Sequence, residues 1–112
     1  MNALNLQGAG PTQVLTAWAD VSLLSANREV RRLRVFPADR VCLNELALSF
    51  HTARCYAAMA GLEHLTPSLE ELEDDVCALR AAHSPLSPEW LESLERRIAV
   101  MRAALGQEPA PA

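Results

Sequence analysis

The sequence predicts an all-α protein, an antiparallel up-down-up-down four-helix bundle. Three observations carry that expectation. Leucine and alanine dominate the apolar half of the chain while aromatic residues make up only 4% of it, which favours helices packed on helices. Four segments repeat apolar residues at alternating steps of three and four, the rhythm of one helical face. Between them stand short stretches with proline, glycine or hydroxyl residues where helices start and stop. A chain of 112 residues has room for one domain and one modest core.

Residues 1–10 are polar, glycine-containing and without period, and read as a flexible tail. The bundle itself is expected over residues 11–106. Pro11 or Thr12 opens a first helix that runs to about Val35, with Val14, Trp18 and Val21 along one side and Leu23, Ala26, Val30 and Leu33 continuing the apolar face. The drift between those two groups marks Ser25–Asn27 as the place where a break would fall; one long helix is the favoured reading. Phe36-Pro37-Ala38-Asp39 is the first turn. Proline at a first helical position and aspartate in the first turn both suit a helix start.

The second helix carries Leu43, Leu46, Phe50, Ala53, Ala57 and Ala60 on one stripe and stops at Gly61, a natural residue for the position just past a helix end. After Leu62–Leu65, Thr66-Pro67 reads as a hydroxyl cap followed by a first-turn proline, with Glu70 and Glu71 set against the helix dipole. Leu69, Leu72, Val76 and Leu79 form the third stripe. Ser87-Pro88-Glu89 repeats the start signal, and Trp90, Leu94, Ile98, Met101 and Leu105 lead to a stop at Gly106. Residues 107–112 are a polar, proline-bearing tail.

The net charge of −4 argues against a general nucleic-acid binder. No segment approaches the length and apolarity of a membrane span, and the first residues lack a basic leader, so a cytoplasmic protein without membrane insertion is expected. Cys42, Cys55 and Cys77 give an odd count without metal-ligand spacing, and read as small buried residues in a reducing compartment. All ten cations are arginine. The acidic run Glu70–Asp75 is explained by a solvated helix start. His64 and His83 fall in turns with no partner at a ligand spacing.

His51 is the residue that stands out. It follows Phe50 by about 100° round the helix, on the shoulder of the apolar stripe. Arg54 and Cys55 come three and four residues later and share its face. A histidine that relays phosphate needs a nucleophilic Nε2, an acceptor holding its other nitrogen, and donors near the incoming phosphoryl oxygens. His51, a carboxylate from a neighbouring helix and Arg54 have the right chemistry for those parts. In an unrelated bundle a histidine on such a shoulder is more often structural.

The stretch His51-Thr-Ala-Arg54-Cys55-Tyr56-Ala-Ala-Met59-Ala-Gly61 resembles the histidine-phosphotransfer (HPt) family, and most of all the variant that opens chemotaxis-type histidine kinases. His51, Met59 and Gly61 match its motif as they stand. Arg54 replaces a lysine, Cys55 a glycine, and Tyr56 a residue that is normally small. Glu73 falls at the position of the family's imidazole-binding glutamate, and Glu70 at that of a second polar residue. In element order the resemblance covers roughly residues 15–105.

The resemblance implies a role for each of these residues. His51 is the phosphoacceptor, Glu73 orients its imidazole, and Arg54 stabilises the phosphoryl group. Ala47, Leu48, Cys55 and Ala58 form the face that meets a partner. That partner is the receiver domain of a response regulator, a histidine kinase, or both. No cofactor of the protein's own is expected, because the receiver supplies the Mg²⁺; nor is a kinase or nucleotide site. Two other readings compete: an HPt-like adaptor that docks a signalling partner through the same face without carrying phosphate, and an unrelated secretion chaperone or dimerising bundle.

Overall fold

A computed structural model describes residues 10–83 and 85–107. Apart from Gly10 and Gln107, the two expected tails lie outside the described residues. Four helices follow in order: α1 (Pro11–Val35), α2 (Arg40–Met59), α3 (Thr66–Ala82) and α4 (Pro88–Gly106). Short connections force each to run against its predecessor, and the result is the four-helix bundle that the sequence predicts.

The first helix runs unbroken through Ser25–Asn27. Its core face is Ala19, Leu23, Ala26, Val30 and Leu33, all fully buried. Those five keep a strict four-three rhythm, and continued backward it passes through Ala19 and not Trp18. Trp18, expected on the apolar side, is therefore turned outward and 38% exposed. The fourth helix repeats the lesson: Leu91, Leu94, Ile98, Met101 and Leu105 are buried, while Trp90 only leans on their edge.

Two helix starts differ from expectation. Asp39 is the cap of α2 and not a first-turn residue, its Oδ1 accepting from the Cys42 amide at 3.0 Å, so Pro37 stays in the turn. Arg32 Nε donates to the other oxygen of the same carboxylate at 2.9 Å, which ties the end of α1 to the start of α2. Bonds from the Cys42 amide and from Arg32 hold the Asp39 carboxyl below its ordinary range. Thr66 does not cap α3. The turn before it is already wound, with the amides of Leu65 and Thr66 both donating to the Leu62 carbonyl, and the Thr66 hydroxyl donates there too at 3.0 Å. Ser87 does cap α4, accepting from the Trp90 amide at 3.0 Å.

Gly61 ends α2 with φ +78°, a left-handed conformation that side chains rarely tolerate. The amides of Leu62 and Gly61 turn back onto the carbonyls of Ala57 and Ala58, each at 3.0 Å, and Leu62 is buried beside them. A backbone requirement thus accounts for this glycine without reference to any partner.

The helices do not close a symmetric square. α1 packs on α2 and α4, and α2 on α3, but α3 and α4 barely touch. Arg97 of α4 spans that gap, with Nη1 2.9 Å from Asp75 and Nη2 3.9 Å from Glu71. On the closed side, Arg102 grips Asp20 at 2.9 and 3.3 Å, and Arg34 reaches Glu95 at 3.0 Å. α3 is therefore held to the bundle chiefly through α2, the helix that carries His51. Among the described residues, no helix is long and apolar enough to cross a membrane.

Candidate functional site

The stripe of α2 that faces the core is Leu43, Leu46, Phe50, Ala53 and Ala57, all buried. One step round from Phe50, the His51 side chain emerges at the middle of the helix and is 47% exposed. The antiparallel neighbour α3 brings Glu73 level with it. Oε2 of Glu73 lies 2.9 Å from Nδ1 of His51, and Oε1 accepts from Arg54 Nε at 2.8 Å. One carboxylate thus holds an imidazole with one oxygen and a guanidinium with the other.

Nδ1 has a second neighbour. Arg54 Nη2 stands 3.0 Å away. A ring nitrogen cannot donate to the carboxylate and accept from the guanidinium at once, so the charge on Glu73 decides. Burial works to raise the Glu73 carboxyl, but the hydrogen bonds from Arg54 and His51 outweigh it and hold it below its ordinary range. Charged, it can only accept, so Nδ1 carries the proton and donates it in a hydrogen bond to Glu73. The Nη2 approach is then a contact and not a hydrogen bond, and the lone pair falls on Nε2. The arrangement fixes a nucleophilic tautomer.

The sign of the Glu73 shift has a consequence for stability. A carboxyl with a depressed pKa in the folded state stabilises the fold above its unfolded value near 4.5 and loses that contribution as pH falls through the lower folded value. Glu73→Gln should flatten this part of the acid-unfolding curve. It should lower the urea midpoint in the neutral range, where the contribution is present, and leave it little changed at the acid end, where the contribution is already lost. Circular dichroism against pH at several urea concentrations measures it; an unaltered acid limb would mean that the pairing is absent in solution.

Arg54 lies on the Nδ1 side of the ring and not beside Nε2. Its geometry is that of a group holding Glu73. Cys55 lies on the opposite edge, with Sγ 3.6 Å from Nε2, close enough for the thiol to donate to it. Of the expected partner face, Leu48 is 61% exposed, Ala58 is exposed and Cys55 partly so, but Ala47 is 5% exposed and belongs to the core. Ala47 continues the four-three rhythm from Leu43 to Phe50, which draws it inward although it also lies one turn from His51.

Other apolar side chains of α1 and α2 are exposed as well. Met59 is 68% exposed on α2, and Trp18 and Leu24 are each 38% exposed on α1. Ser49 donates to the Glu29 carboxylate across the α1–α2 seam. Two residues beyond Ser49, His51 is level with about Asn27, and Leu24 is less than one turn, about 4.5 Å, further along. Only the packing of α1 on α2 brings Leu24 to that level. His64 and His83 are exposed, His83 closing α3 in a left-handed conformation at φ 54°. Among the described residues, no group of three or more His, Cys, Asp or Glu is placed to hold a metal ion. Comparison of the chain with protein-family models, with curated proteins and with solved structures found no match.

Proposed function

We propose that the protein is a histidine phosphocarrier of the HPt kind, taking phosphate on Nε2 of His51 from one signalling protein and passing it to another. The observation that carries this reading is the 2.9 Å contact between Glu73 and Nδ1, which puts the lone pair on Nε2 of a side chain that is 47% exposed. The donor is the phospho-aspartate of a receiver domain or a histidine kinase. With a receiver, Nε2 attacks phosphorus, the N–P bond forms, and the P–O bond to the aspartyl carboxylate breaks. Receiver-bound Mg²⁺ neutralises the phosphoryl oxygens. Glu73, still ionised, accepts the hydrogen bond from Nδ1–H, keeps that proton on the ring and stabilises the positive charge that develops there. Arg54 positions Glu73. Leu48 and Ala58 offer apolar surface around the histidine on which a receiver can dock.

Phosphate uptake from receivers charged with acetyl phosphate tests this. Glu73→Gln should slow transfer by about ten-fold or more. Arg54→Ala should slow it less, and should bring the Glu73 carboxyl back toward its ordinary range. Equal rates for all three proteins would remove the orienting role of the carboxylate.

A second reading is favoured by one specific feature. Cys55 places a sulfur 3.6 Å from the nucleophilic nitrogen, in the space through which phosphorus must come. An adaptor that docks the same partner without carrying phosphate tolerates that sulfur; a carrier must accommodate it. Cys55→Gly clears the space at a helix cost of about 1 kcal/mol. Labelling that appears only in this variant would identify an adaptor descended from a carrier. Labelling already strong in the parent supports the carrier.

A further inference from the structure

Cys55, His51 and Glu73 stand in a row. The thiol lies 3.6 Å from Nε2, and the carboxylate 2.9 Å from Nδ1 on the opposite edge of the same ring. This is the order of a nucleophile, a base within reach of it, and an acid that fixes the tautomer of the base. Among the described residues, the other two cysteines have no such pair of neighbours. Cys42 is buried, donates to the Glu29 carbonyl at 3.3 Å, and is pushed by burial to a pKa of about 11. Cys77 has the guanidinium of Arg80 at 3.7 Å and, among the described residues, no base within the same reach.

The row does not suit acyl transfer. That chemistry needs amide donors aimed at a developing oxyanion, and Cys55 sits inside an α-helix whose amides are bonded along the helix. Thiol–disulfide exchange asks for less: a thiolate, and access to it. Cys55 is partly exposed.

We propose that Cys55 is a thiol-exchange site for low-molecular-weight disulfides, and that the mixed disulfide formed there covers Nε2 of His51. His51 takes the proton of the Cys55 thiol on Nε2. The thiolate attacks one sulfur of the incoming disulfide, a new S–S bond forms at Cys55, and the S–S bond of the reagent breaks. The departing thiolate recovers the proton from Nε2. One protein thiol is oxidised to a mixed disulfide and one molecule of free thiol is released, the incoming disulfide being the oxidant. The added sulfur stands about 2.05 Å from Sγ, so it and its substituent occupy the space in front of a nitrogen only 3.6 Å from that same Sγ. Excess thiol reverses the step. That the adduct also switches off phosphate uptake rests on the phosphocarrier reading; the exchange and the shielding of His51 do not.

The test treats the full chain with glutathione disulfide and follows adducts by intact mass and peptide mapping. Cys55 should react at least ten-fold faster than Cys42 or Cys77. His51→Ala should slow it about ten-fold, and Glu73→Gln, which keeps the ring, should slow it as well. In the adduct, acylation of His51 by diethyl pyrocarbonate should fall at least ten-fold and recover on reduction. The proposal is overturned if Cys77 reacts as fast as Cys55, if both variants react at the parent rate, or if the adduct leaves His51 as open to acylation as before. A Cys55 adduct that shields His51, in a protein that takes phosphate from no receiver, upholds the exchange site and removes the phosphocarrier reading. Phosphate uptake beside a Cys55 no faster than Cys77 does the reverse.

Discussion

Replacing His51 by glutamine is expected to reduce phosphate uptake from a charged receiver to background while leaving the bundle folded. Glutamine keeps a polar side chain near Glu73 but has no nitrogen that can form a phosphoramidate of the histidine kind. The His51 side chain is 47% exposed, so its removal uncovers little core. Glu73 keeps its bond to Arg54 at 2.8 Å, and no charge is left stranded. Stability should therefore change by about 0.5 kcal/mol or less, as for surface substitutions generally. Radiolabel transfer with a matched thermal melt separates the two effects. Uptake that survives in His51→Gln would place the acceptor elsewhere and end the phosphocarrier proposal. Binding of the uncharged receiver should persist, because Leu48 and Ala58 are unaltered, and a loss of binding would instead make the imidazole part of the docking contact.

How much of this was legible in the sequence depends on how many ways a residue can be used. Gly61 and Ser87 could be placed because a left-handed helix end and a cap before proline each admit few residues. Asp39 and Thr66 were misplaced by small offsets, since a carboxylate or hydroxyl near a helix start fits several positions and only the winding of the preceding turn decides. Trp18 and Trp90 were placed on the apolar faces by steps of three and four, but the buried rhythm of each helix runs one residue over, through Ala19 and Leu91. At the site, Glu73 was singled out by the resemblance, through its offset from His51, and the antiparallel neighbour α3 brings that position level with the ring. The direction of Arg54 was not legible. A long guanidinium three residues from a histidine reaches either edge of the ring, and it goes to Nδ1 because Glu73 is there. Cys55 was seen as bulk where a partner must approach, and its alignment with Nε2 emerged only from the rotamers.

Phe50→Ala should be the most destabilising single change near the site. Phe50 is fully buried in the core cluster, one residue before His51. Truncating a buried phenylalanine costs about 3–5 kcal/mol through lost burial and the cavity left behind. Domains of this kind hold about 5–15 kcal/mol in all, so the melting temperature should fall by roughly 10–20 °C. Phe50→Leu, which leaves a smaller void, should cost clearly less. A cost below about 1 kcal/mol for Phe50→Ala would show that α2 does not pack as described. The loss should also be uneven. Because α3 meets α4 hardly at all, it is held chiefly by α2, and its amides should lose hydrogen-exchange protection before those of α1. Glu73 rides on α3, so a loosened α3 also loosens the carboxylate that fixes the tautomer of His51. Well below the melting temperature, transfer by Phe50→Ala should then fall no further than in Glu73→Gln, since loss of that carboxylate is the most a displaced α3 can inflict on a histidine that stays in place on α2. A deeper loss would mean that the core under α2 sets the position of His51 itself.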